Sequence, residues 1–223
     1  MDNVCRFQGI IFDFDGTLVD TFPGIYCGWQ KTFQRLGLPP IGENTVRAAI
    51  GPAKDAYLRL ILGENYNQHQ EQALELYRLF YKEECTTKTF VYPGIYPLLQ
   101  RLQDRGMYMA IASNKPHPQV LQLTERFKFN PYFDPILAPE KVKEGKPEPD
   151  MFLACAQTWG VPPEAILVVG DTELDMEAGK RAGMPRAAAL WGYSTREKLS
   201  ALAPEFSADT PMDIYSYVCM RAL

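Results

Sequence analysis

The chain has 223 residues, of which 46% are hydrophobic and 22% charged, so it is long enough for a large core and typical of a globular protein. The net charge is -4, and the charged residues form no long block of one sign. No apolar run is long enough to cross a membrane. We therefore expect no nucleic-acid partner and no membrane partner. The five cysteines are scattered without metal-site spacing, which favours reduced thiols and a cytoplasmic location.

An acidic motif ends the first predicted strand. The apolar run that starts at Gly9 predicts a buried strand, and it leads into Asp13 and Asp15, two residues apart. If the chain stays extended there, both carboxylates face the same way, and Gly16 then lets the chain turn. Carboxylates at the end of a buried strand need a cation or a proton nearby. For this motif taken alone, an acidic turn without function is the simpler alternative.

A long helical stretch follows. Helices are predicted over residues 24–36, 44–50, 53–62 and 68–84. A crossover between parallel strands normally needs about a dozen residues, and the gap between the first two predicted strands is far longer. We therefore predict an inserted helical domain at residues 19–88, within a core formed by residues 1–18 and 89–223.

From residue 93 onward, predicted strands alternate with predicted helices. Strands are expected at 107–112, 133–137, 166–169 and 187–190, and helices at 95–105, 120–127, 150–159 and 174–182. This alternation predicts an α/β fold, a doubly wound, Rossmann-like parallel sheet with helices on both faces. Ligands of such sheets bind at the carboxyl ends of the strands, where Ser113, Asn114 and Asp171 would join the acidic motif.

Three of these polar positions suit a hard cation. Mg²⁺ prefers oxygen ligands, and one or two carboxylates plus a substrate phosphate are enough to hold it. Asp13 and Asp171 are the natural ligands, and Asp175, one helical turn after Asp171, is an additional or water-mediated candidate. Helix capping is the alternative explanation for the acidic residues after the fourth strand.

The remaining polar residues suit a phosphate group. Ser113 and Asn114 offer a hydroxyl and an amide to phosphate oxygens, or they simply close a turn. Lys146, in a loop rich in glycine and proline, can supply positive charge, although most surface lysines do not. A carboxylate can act as nucleophile and form an aspartyl-phosphate, while a second one protonates the leaving alcohol and then takes a proton from water. Together these residues predict phosphoryl transfer by positioning and charge neutralisation.

Over its whole length the chain resembles the haloacid dehalogenase superfamily of phosphatases. Four motifs in the family's order and spacing carry the resemblance: Asp13-Phe14-Asp15-Gly16-Thr17-Leu18, Ser113-Asn114, Gly145-Lys146-Pro147 and Gly170-Asp171-Thr172-Glu173-Leu174-Asp175. The inserted helices are similar to the family's small helical cap. Val19-Asp20-Thr21 and the later Lys-Pro-x-Pro-Asp run are most similar to the phosphoglycolate phosphatase-like branch.

The resemblance implies a role for each matching residue. Asp13 would be the nucleophile, Asp15 the general acid and base, and Lys146 a binder of the phosphoryl group. Asp13, the backbone carbonyl of Asp15 and Asp171 would hold Mg²⁺, with Asp175 as a further candidate. The predicted substrate-binding residues lie in these motifs or on the insert: Thr17, Ser113, Asn114 and Lys54.

The insert is expected to select the substrate. In related caps a loop between the early helices reaches into the site, and here that loop is 50–55. Lys54 is predicted to contact a second negative charge on the substrate, such as a carboxylate or another phosphate. A solvated surface lysine is an equally weighted alternative.

The resemblance implies a magnesium-dependent phosphomonoester hydrolase that acts through an aspartyl-phosphate on a small phosphorylated metabolite, phosphoglycolate-like as the first hypothesis. Inorganic pyrophosphatases and a sugar phosphomutase share nearly identical motifs and remain open. Dehalogenases lack the second aspartate, so Asp15 argues against them. An aspartate-phosphorylated signalling module is the non-enzyme alternative, but such modules are much shorter and have no insert. The sequence does not predict an oligomeric state.

Overall fold

The structure, a computed structural model, describes residues 5–52 and 54–219, and the side chains of residues 54 and 83–86 lie outside the described part. The chain divides into two compact units. One unit, here called the cap, is Val19–Phe90, and the other, called the core, joins Met1–Leu18 to Val91–Leu223. The second boundary predicted from the sequence lies slightly earlier, after residue 88.

Strands and helices alternate through the core. In chain order the strands are β1 (Gly9–Phe12), β2 (Val19–Asp20), β3 (Phe90–Val91), β4 (Tyr108–Ala112), β5 (Ile136–Leu137), β6 (Ile166–Gly170), β7 (Arg186–Ala189) and β8 (Phe206–Ala208). One parallel sheet has the strand order β5-β4-β1-β6-β7-β8, and β2 pairs with β3 in a small second sheet. The predicted α/β parallel-sheet core is therefore confirmed.

The helices fall into two sets. Those of the cap are α1 (Phe22–Leu36), α2 (Glu43–Ala49), α3 (Lys54–Leu62) and α4 (Tyr66–Lys88). Those of the core are α5 (Ile95–Gln103), α6 (His117–Arg126), α7 (Asp150–Trp159), α8 (Glu173–Arg181), α9 (Arg196–Ser200) and α10 (Pro211–Val218). The helix predicted over 150–159 matches α7, and most of the others differ from their predictions by one to four residues at an end. Among the described residues, no helix combines the length and the apolar character that crossing a membrane requires.

The central strand β1 brings the motifs of the core together. Ile11 lies opposite Ala110 of β4 on one side and opposite Val168 of β6 on the other. Ile11 packs in a cluster with residues of α7 and α8, while Ile10 and Phe12, on the opposite face, are also buried. A parallel strand covered on both faces is apolar throughout, which explains this part of the sequence. The carboxyl ends of β4, β1 and β6 therefore lie side by side.

The end of the core was not predicted from the sequence. After β7 the chain adds α9, β8 and α10, and Ala187 of β7 lies opposite Phe206 of β8. The half-exposed Glu205, just before β8, accepts hydrogen bonds from the backbone N–H and the guanidinium of Arg186. The guanidinium also donates to the carbonyls of Leu202 and Ala203. These polar contacts help to hold β8 in place. With three residues, β8 is too short to show a hydrophobic periodicity in the sequence.

The cap is built around aromatic side chains. Trp29 of α1 stacks on Tyr77 of α4, with ring centroids 4.3 Å apart and an angle of 11° between the planes. Tyr57 meets the edge of Trp29, and its hydroxyl accepts a 2.5 Å hydrogen bond from the indole N–H. Tyr81 lies beside Tyr77. Tyr77 and Tyr81 are both buried, so these aromatic residues of α4 belong to the interior of the cap.

Helix α1 begins two residues before its predicted start. The backbone N–H of Phe22 donates to the Asp20 side chain at 3.1 Å, and Pro23 is tolerated in the first turn because no intrahelical donor is needed there. The helix ends at Gly37, whose φ of 70° lies in the left-handed region that glycine adopts without strain. The predicted stop at this glycine is confirmed.

Candidate active site

The first acidic motif leaves the strand earlier than predicted. β1 ends at Phe12, so the condition under which Asp13 and Asp15 would share a face, a strand that stays extended through both, is not met. Gly16, with a φ of 92°, closes the turn, and a Cβ there would overlap the Asp171 carboxylate. The two aspartates instead contact different lysines. Their separation follows from this tight turn, which packs against the end of β6.

Lys146 lies at the centre of the buried charges. Its ammonium donates to Asp13 Oδ1 at 2.5 Å, to Asp175 Oδ1 at 2.6 Å and to the carbonyl of Ala112 at 3.0 Å. Only 4% of its surface is exposed. Burial opposes the charged ammonium, but the charges of Asp13 and Asp175 outweigh it and raise the pKa of Lys146 above its ordinary value. The lysine therefore carries a permanent positive charge at the site.

Asn114 holds the loop that carries this lysine. Its side-chain amide donates to the carbonyl of Lys146 at 2.9 Å, and its Oδ1 accepts the backbone N–H of Lys146 at 2.9 Å. A Cβ at Gly145 would collide with Asn114 Oδ1, so the loop requires glycine at this position. Asn114 was predicted to bind substrate. Both ends of its amide contact the backbone of Lys146, and its role in substrate binding stays a prediction.

Asp171 is enclosed by hydrogen-bond donors. Its Oδ1 accepts the hydroxyl of Thr17 at 2.8 Å, and its Oδ2 accepts the backbone N–H of Tyr193 at 2.7 Å. A Cβ at Gly192 would overlap the carboxylate, so the backbone approaches closely only because glycine lies there. Thr17 was also predicted to bind substrate. It is fully buried and its hydroxyl donates to Asp171, so its role in substrate binding stays a prediction.

Asp175 has two protein contacts at once. Its Oδ2 accepts the backbone N–H of Thr172 at 3.0 Å, while the Thr172 side chain accepts the backbone N–H of Asp175, and the two bonds form the capping box of α8. The Thr172 hydroxyl also donates to Oδ2 at 2.6 Å. Its Oδ1 accepts Lys146. A Cβ at Gly170 would clash with this side chain. The capping alternative is thus observed, and the predicted metal role of Asp175 stays a prediction with both oxygens already hydrogen-bonded.

The buried carboxylates outnumber the buried cation beside them. Oxygens of Asp13, Asp171 and Asp175 all lie within 4.8 Å of one another, and Lys146 contacts two of the three residues. Burial, reinforced by the neighbouring carboxylates and opposed by Lys146, raises the pKa of Asp13 to about 7. Burial and the charges of Asp13 and Asp175 raise the pKa of Asp171 well above its ordinary value. A divalent cation fits this excess of negative charge.

The second aspartate pairs with a lysine that the sequence did not point to. Lys115 Nζ contacts Asp15 Oδ1 at 2.8 Å, with only 5% and 12% of the two side chains exposed. The backbone N–H of Lys115 donates to the hydroxyl oxygen of Ser113 at 3.2 Å, and Ser113 is buried at the end of β4. A lysine directly after Ser113-Asn114 was the available signal, but lysines at turns are usually solvated.

Of the predicted site residues, all but Lys54 belong to the core. Lys54 begins α3 of the cap, and its side chain lies outside the described part of the chain. Its predicted contact with the substrate therefore stays a prediction. The motifs that follow β1, β4 and β6 lie at neighbouring strand ends, as the sequence indicated, and Lys146 comes from the loop before α7.

The core thus gathers buried aspartates beside the ends of neighbouring parallel strands, and the buried Lys146 contacts two of them. The chain belongs to the haloacid dehalogenase-like hydrolase family, whose model matches residues 10–189. It is a phosphatase of the phosphoglycolate phosphatase-like kind, as its relatives show.

Two curated relatives and one solved structure illustrate the similarity. The phosphoglycolate phosphatase of Aquifex aeolicus is 36% identical over 92% of this chain and 93% of its own length. That of Escherichia coli strain K12 is 32% identical over 89% of this chain and 87% of its own length. The crystal structure of a predicted phosphoglycolate phosphatase from Haemophilus somnus 129pt has a TM-score of 0.86 and 26% identity, covering 95% of this chain and 97% of that one.

Proposed function

We propose that this phosphatase is a Mg²⁺-dependent phosphomonoester hydrolase that acts through an aspartyl-phosphate on a small phosphorylated metabolite. The observation that carries the proposal is the buried cluster in which one lysine contacts Asp13 and Asp175 while Asp171 lies beside them. The names of the relatives favour a phosphoglycolate-like substrate.

Asp13 is the proposed nucleophile. Lys146 binds its Oδ1 and thereby sets the orientation of the carboxylate. Attack forms a bond between a carboxylate oxygen and phosphorus, while the bond from phosphorus to the leaving oxygen breaks. The ammonium of Lys146 neutralises charge on the phosphoryl oxygens during this step. The Ser113 hydroxyl, at the end of the neighbouring strand β4, is the proposed second contact of the phosphoryl group.

Asp15 is the proposed general acid and base. It donates a proton to the leaving alcohol in the first half-reaction and takes a proton from the attacking water in the second. Its place on the turn directly after Asp13 keeps a second carboxylate next to the nucleophile. The contact with Lys115 holds one of its oxygens.

The proposed Mg²⁺ ligands are Asp13, the backbone carbonyl of Asp15, and Asp171. When bound, Mg²⁺ would supply positive charge that stabilises the phosphoryl oxygens. Thr17 and the backbone of Tyr193 orient Asp171 for this task. Asp175 and Asn114 support Lys146, one through its ammonium and the other through its backbone.

The test is a Mg²⁺-dependent screen of phosphoglycolate, inorganic pyrophosphate, hexose phosphates and nitrophenyl phosphate. We expect release of inorganic phosphate, with phosphoglycolate the best substrate, and no release by Asp13→Asn. Preference for pyrophosphate, or isomerisation of a hexose phosphate without phosphate release, would instead favour the two alternative enzymes. Activity that survives complete removal of divalent cations would exclude the metal proposal.

Metal binding needs its own readout. Isothermal titration with Mg²⁺ should give heat with the unsubstituted protein and none with Asp171→Asn. Asp209→Asn is the matched control, because this core aspartate is exposed. Equal Mg²⁺ binding by Asp171→Asn and by the unsubstituted protein would contradict the assignment.

A further inference from the structure

We propose that Lys115 positions Asp15 for proton transfer, a role that rests on the proposed function. Each of the two catalytic aspartates has a lysine of its own: Lys146 contacts Asp13, and Lys115 contacts Asp15. The lysines come from different places in the chain, one from the loop before α7 and the other from the turn after β4. The contacts of Lys146 therefore do not account for the orientation of Asp15.

The contact is built from both sides. The side chains of Lys115 and Asp15 are 5% and 12% exposed, so the pair is shielded from the solvent that weakens surface ion pairs. The backbone N–H of Lys115 donates to Ser113 Oγ, which fixes the start of the lysine side chain at the end of β4. The lysine thus spans from the proposed phosphate-binding hydroxyl to the proposed acid and base.

This geometry has a mechanistic consequence. A carboxylate on a turn can rotate about its side-chain bonds, and only some orientations present an oxygen to the leaving group. A charged hydrogen bond from Lys115 to Oδ1 restricts that rotation. Because Lys115 acts through Asp15, its effect should depend on how strongly the leaving group needs a proton.

The experiment compares Lys115→Met, Lys115→Arg, Asp15→Asn and the double variant on nitrophenyl phosphate and on ethyl phosphate. Nitrophenolate leaves without much protonation, whereas ethanol requires it. For Lys115→Met we expect a loss in kcat of about 10- to 100-fold on ethyl phosphate and less than about threefold on nitrophenyl phosphate, with KM little changed. Lys115→Arg should recover most of the loss. Lys141→Met, at an exposed lysine of the core, is the matched control.

The double variant separates positioning from other roles. If Lys115 works through Asp15, Lys115→Met should add no loss in the Asp15→Asn background. A further loss there, or equal losses on both esters, would overturn the proposal. A raised KM for phosphoglycolate but not for ethyl phosphate would show that Lys115 binds the substrate's second anionic group instead. Should Lys115→Met not fold, Lys115→Gln answers the same question.

Failure of this inference is distinguishable from failure of the proposed function. Phosphatase activity that Asp13→Asn abolishes and that Asp15→Asn lowers in a leaving-group-dependent way would leave the proposed function in place. Unchanged kinetics of Lys115→Met in that protein would then remove only the positioning role. If the unsubstituted protein released no phosphate from any ester, the proposed function itself would fall.

A different observation carries a second inference. We propose that Cys5 and Cys219 form a disulfide when the protein meets a low-molecular-weight disulfide. Their sulfurs lie 3.3 Å apart, and a disulfide bond of about 2.0 Å requires an approach of only about 1 Å. The backbone N–H of Arg6 donates to the carbonyl of Val218 at 2.9 Å, so the first described residues run beside the end of α10 and hold the thiols together.

The exchange takes two steps. Burial raises the pKa of the Cys219 thiol to about 11, so the more accessible Cys5 is the first nucleophile. Its thiolate attacks one sulfur of the reagent, forms a mixed disulfide and releases one reagent thiol. Cys219 then attacks the Cys5 sulfur and releases the second reagent thiol. The two protein thiols lose two electrons and two protons, and the reagent disulfide gains them.

Mass spectrometry after incubation with oxidised glutathione tests this inference. We expect a loss of two hydrogens and a peptide linked through Cys5 and Cys219, both reversed by a dithiol. Cys5→Ser and Cys219→Ser should abolish the link, and the control Cys155→Ser, at a buried thiol away from this pair, should keep it. Stable glutathione adducts on Cys5, or free thiols at both positions, would overturn the proposal.

Discussion

The cap and the core bury different kinds of side chain. In the described part of the cap, Trp29 and Tyr77 stack in the interior, and the buried polar side chains are the threonines Thr21, Thr32 and Thr89. The core instead buries the cluster of three aspartates and a lysine. Burying aromatic side chains away from water stabilises the folded chain, whereas buried charged groups lose their hydration and need partners. The cap interior thus contributes to stability, whereas the core interior carries the charges on which the proposed chemistry depends.

The difference between a charged and an aromatic interior also affects which residue types each region tolerates. Around the buried charges of the core, a Cβ at Gly16 or Gly192 would collide with Asp171, and one at Gly170 would collide with Asp175. Aromatic packing in the cap requires volume and shape, which several residue types can supply. Substitutions in the two regions should therefore fail in different ways.

The largest expected effect is loss of activity without loss of fold. Asp13→Asn removes the attacking charge while keeping the side-chain shape, so phosphatase activity should fall by at least about 10³-fold. Circular dichroism and the melting temperature should show a folded protein. Substantial turnover by a well-folded Asp13→Asn protein would contradict the proposed mechanism and the functional role assigned to the charged interior of the core.

The opposite result is expected in the cap. Trp29→Ala leaves a cavity where the ring stacked on Tyr77, and it should lower the free energy of unfolding by about 3–5 kcal/mol. Urea unfolding measures this change. Leu79→Ala, at a half-exposed leucine of α4, is the control and should stay within about 0.5 kcal/mol. A similar small change for Trp29→Ala would contradict the stabilising role of the aromatic interior.

The charged interior should make the stability of the metal-free core depend on pH. The folded-state pKa of Asp13 is raised from 3.8 to about 7, so its contribution is fully present below about 3.8 and is lost as the pH rises through about 7. Asp171 shifts in the same direction. With divalent cations chelated, the free energy of unfolding should therefore fall across this window by up to a few kcal/mol.

Thermal unfolding across that pH range, with and without Mg²⁺, tests the point. Mg²⁺ replaces the protons as the partner of the carboxylates, so the fall in stability should shrink when it is present. Asp13→Asn should lose the part of the pH dependence that Asp13 contributes in chelator, and Asp209→Asn should keep all of it. If the free energy of unfolding of the chelated protein rose with pH in this window, the raised folded-state pKa of Asp13 and Asp171 would be contradicted.

The smallest expected effect concerns the support of Asp171. Thr17→Val keeps the shape of the side chain but removes the hydroxyl that donates to Asp171 at 2.8 Å. Loss of such a supporting hydrogen bond should weaken Mg²⁺ binding about tenfold in isothermal titration, with a smaller loss of stability. Unchanged Mg²⁺ affinity would contradict the proposed support of Asp171 by Thr17.

The strong local patterns of the sequence were reliable guides to the fold. The strands β1 and β6 and the end of α1 at residue 36 were predicted, because buried parallel strands are apolar throughout and a glycine often follows the last residue of a helix. The region after β7 left none, since β8 is a three-residue strand and α9 a five-residue helix. Short elements of this kind are held by tertiary contacts that no local window contains.

The sequence indicated which residues lie together at the candidate site better than it indicated what their side chains contact. Asp13 and Asp171 follow strands whose order places them together, which the alternation of strands and helices indicated. The contacts of Thr17 and Asn114 join residues far apart in the chain, so the direction of each side chain was not available from the sequence. Lys115 was missed for the same reason, because only the folded turn brings it to Asp15.

The position of β1 has a consequence for synthesis of the chain. β1 is made first among the strands, yet both of its partners, β4 and β6, come after the whole cap has been made. The cap is one continuous segment and can complete its own contacts while β1 still waits unpaired outside the ribosome. The proposed nucleophile next to β1 therefore meets Asp171 only after β6 has emerged. A chain truncated before that point would have a finished cap and an incomplete proposed site, and we expect it to be inactive.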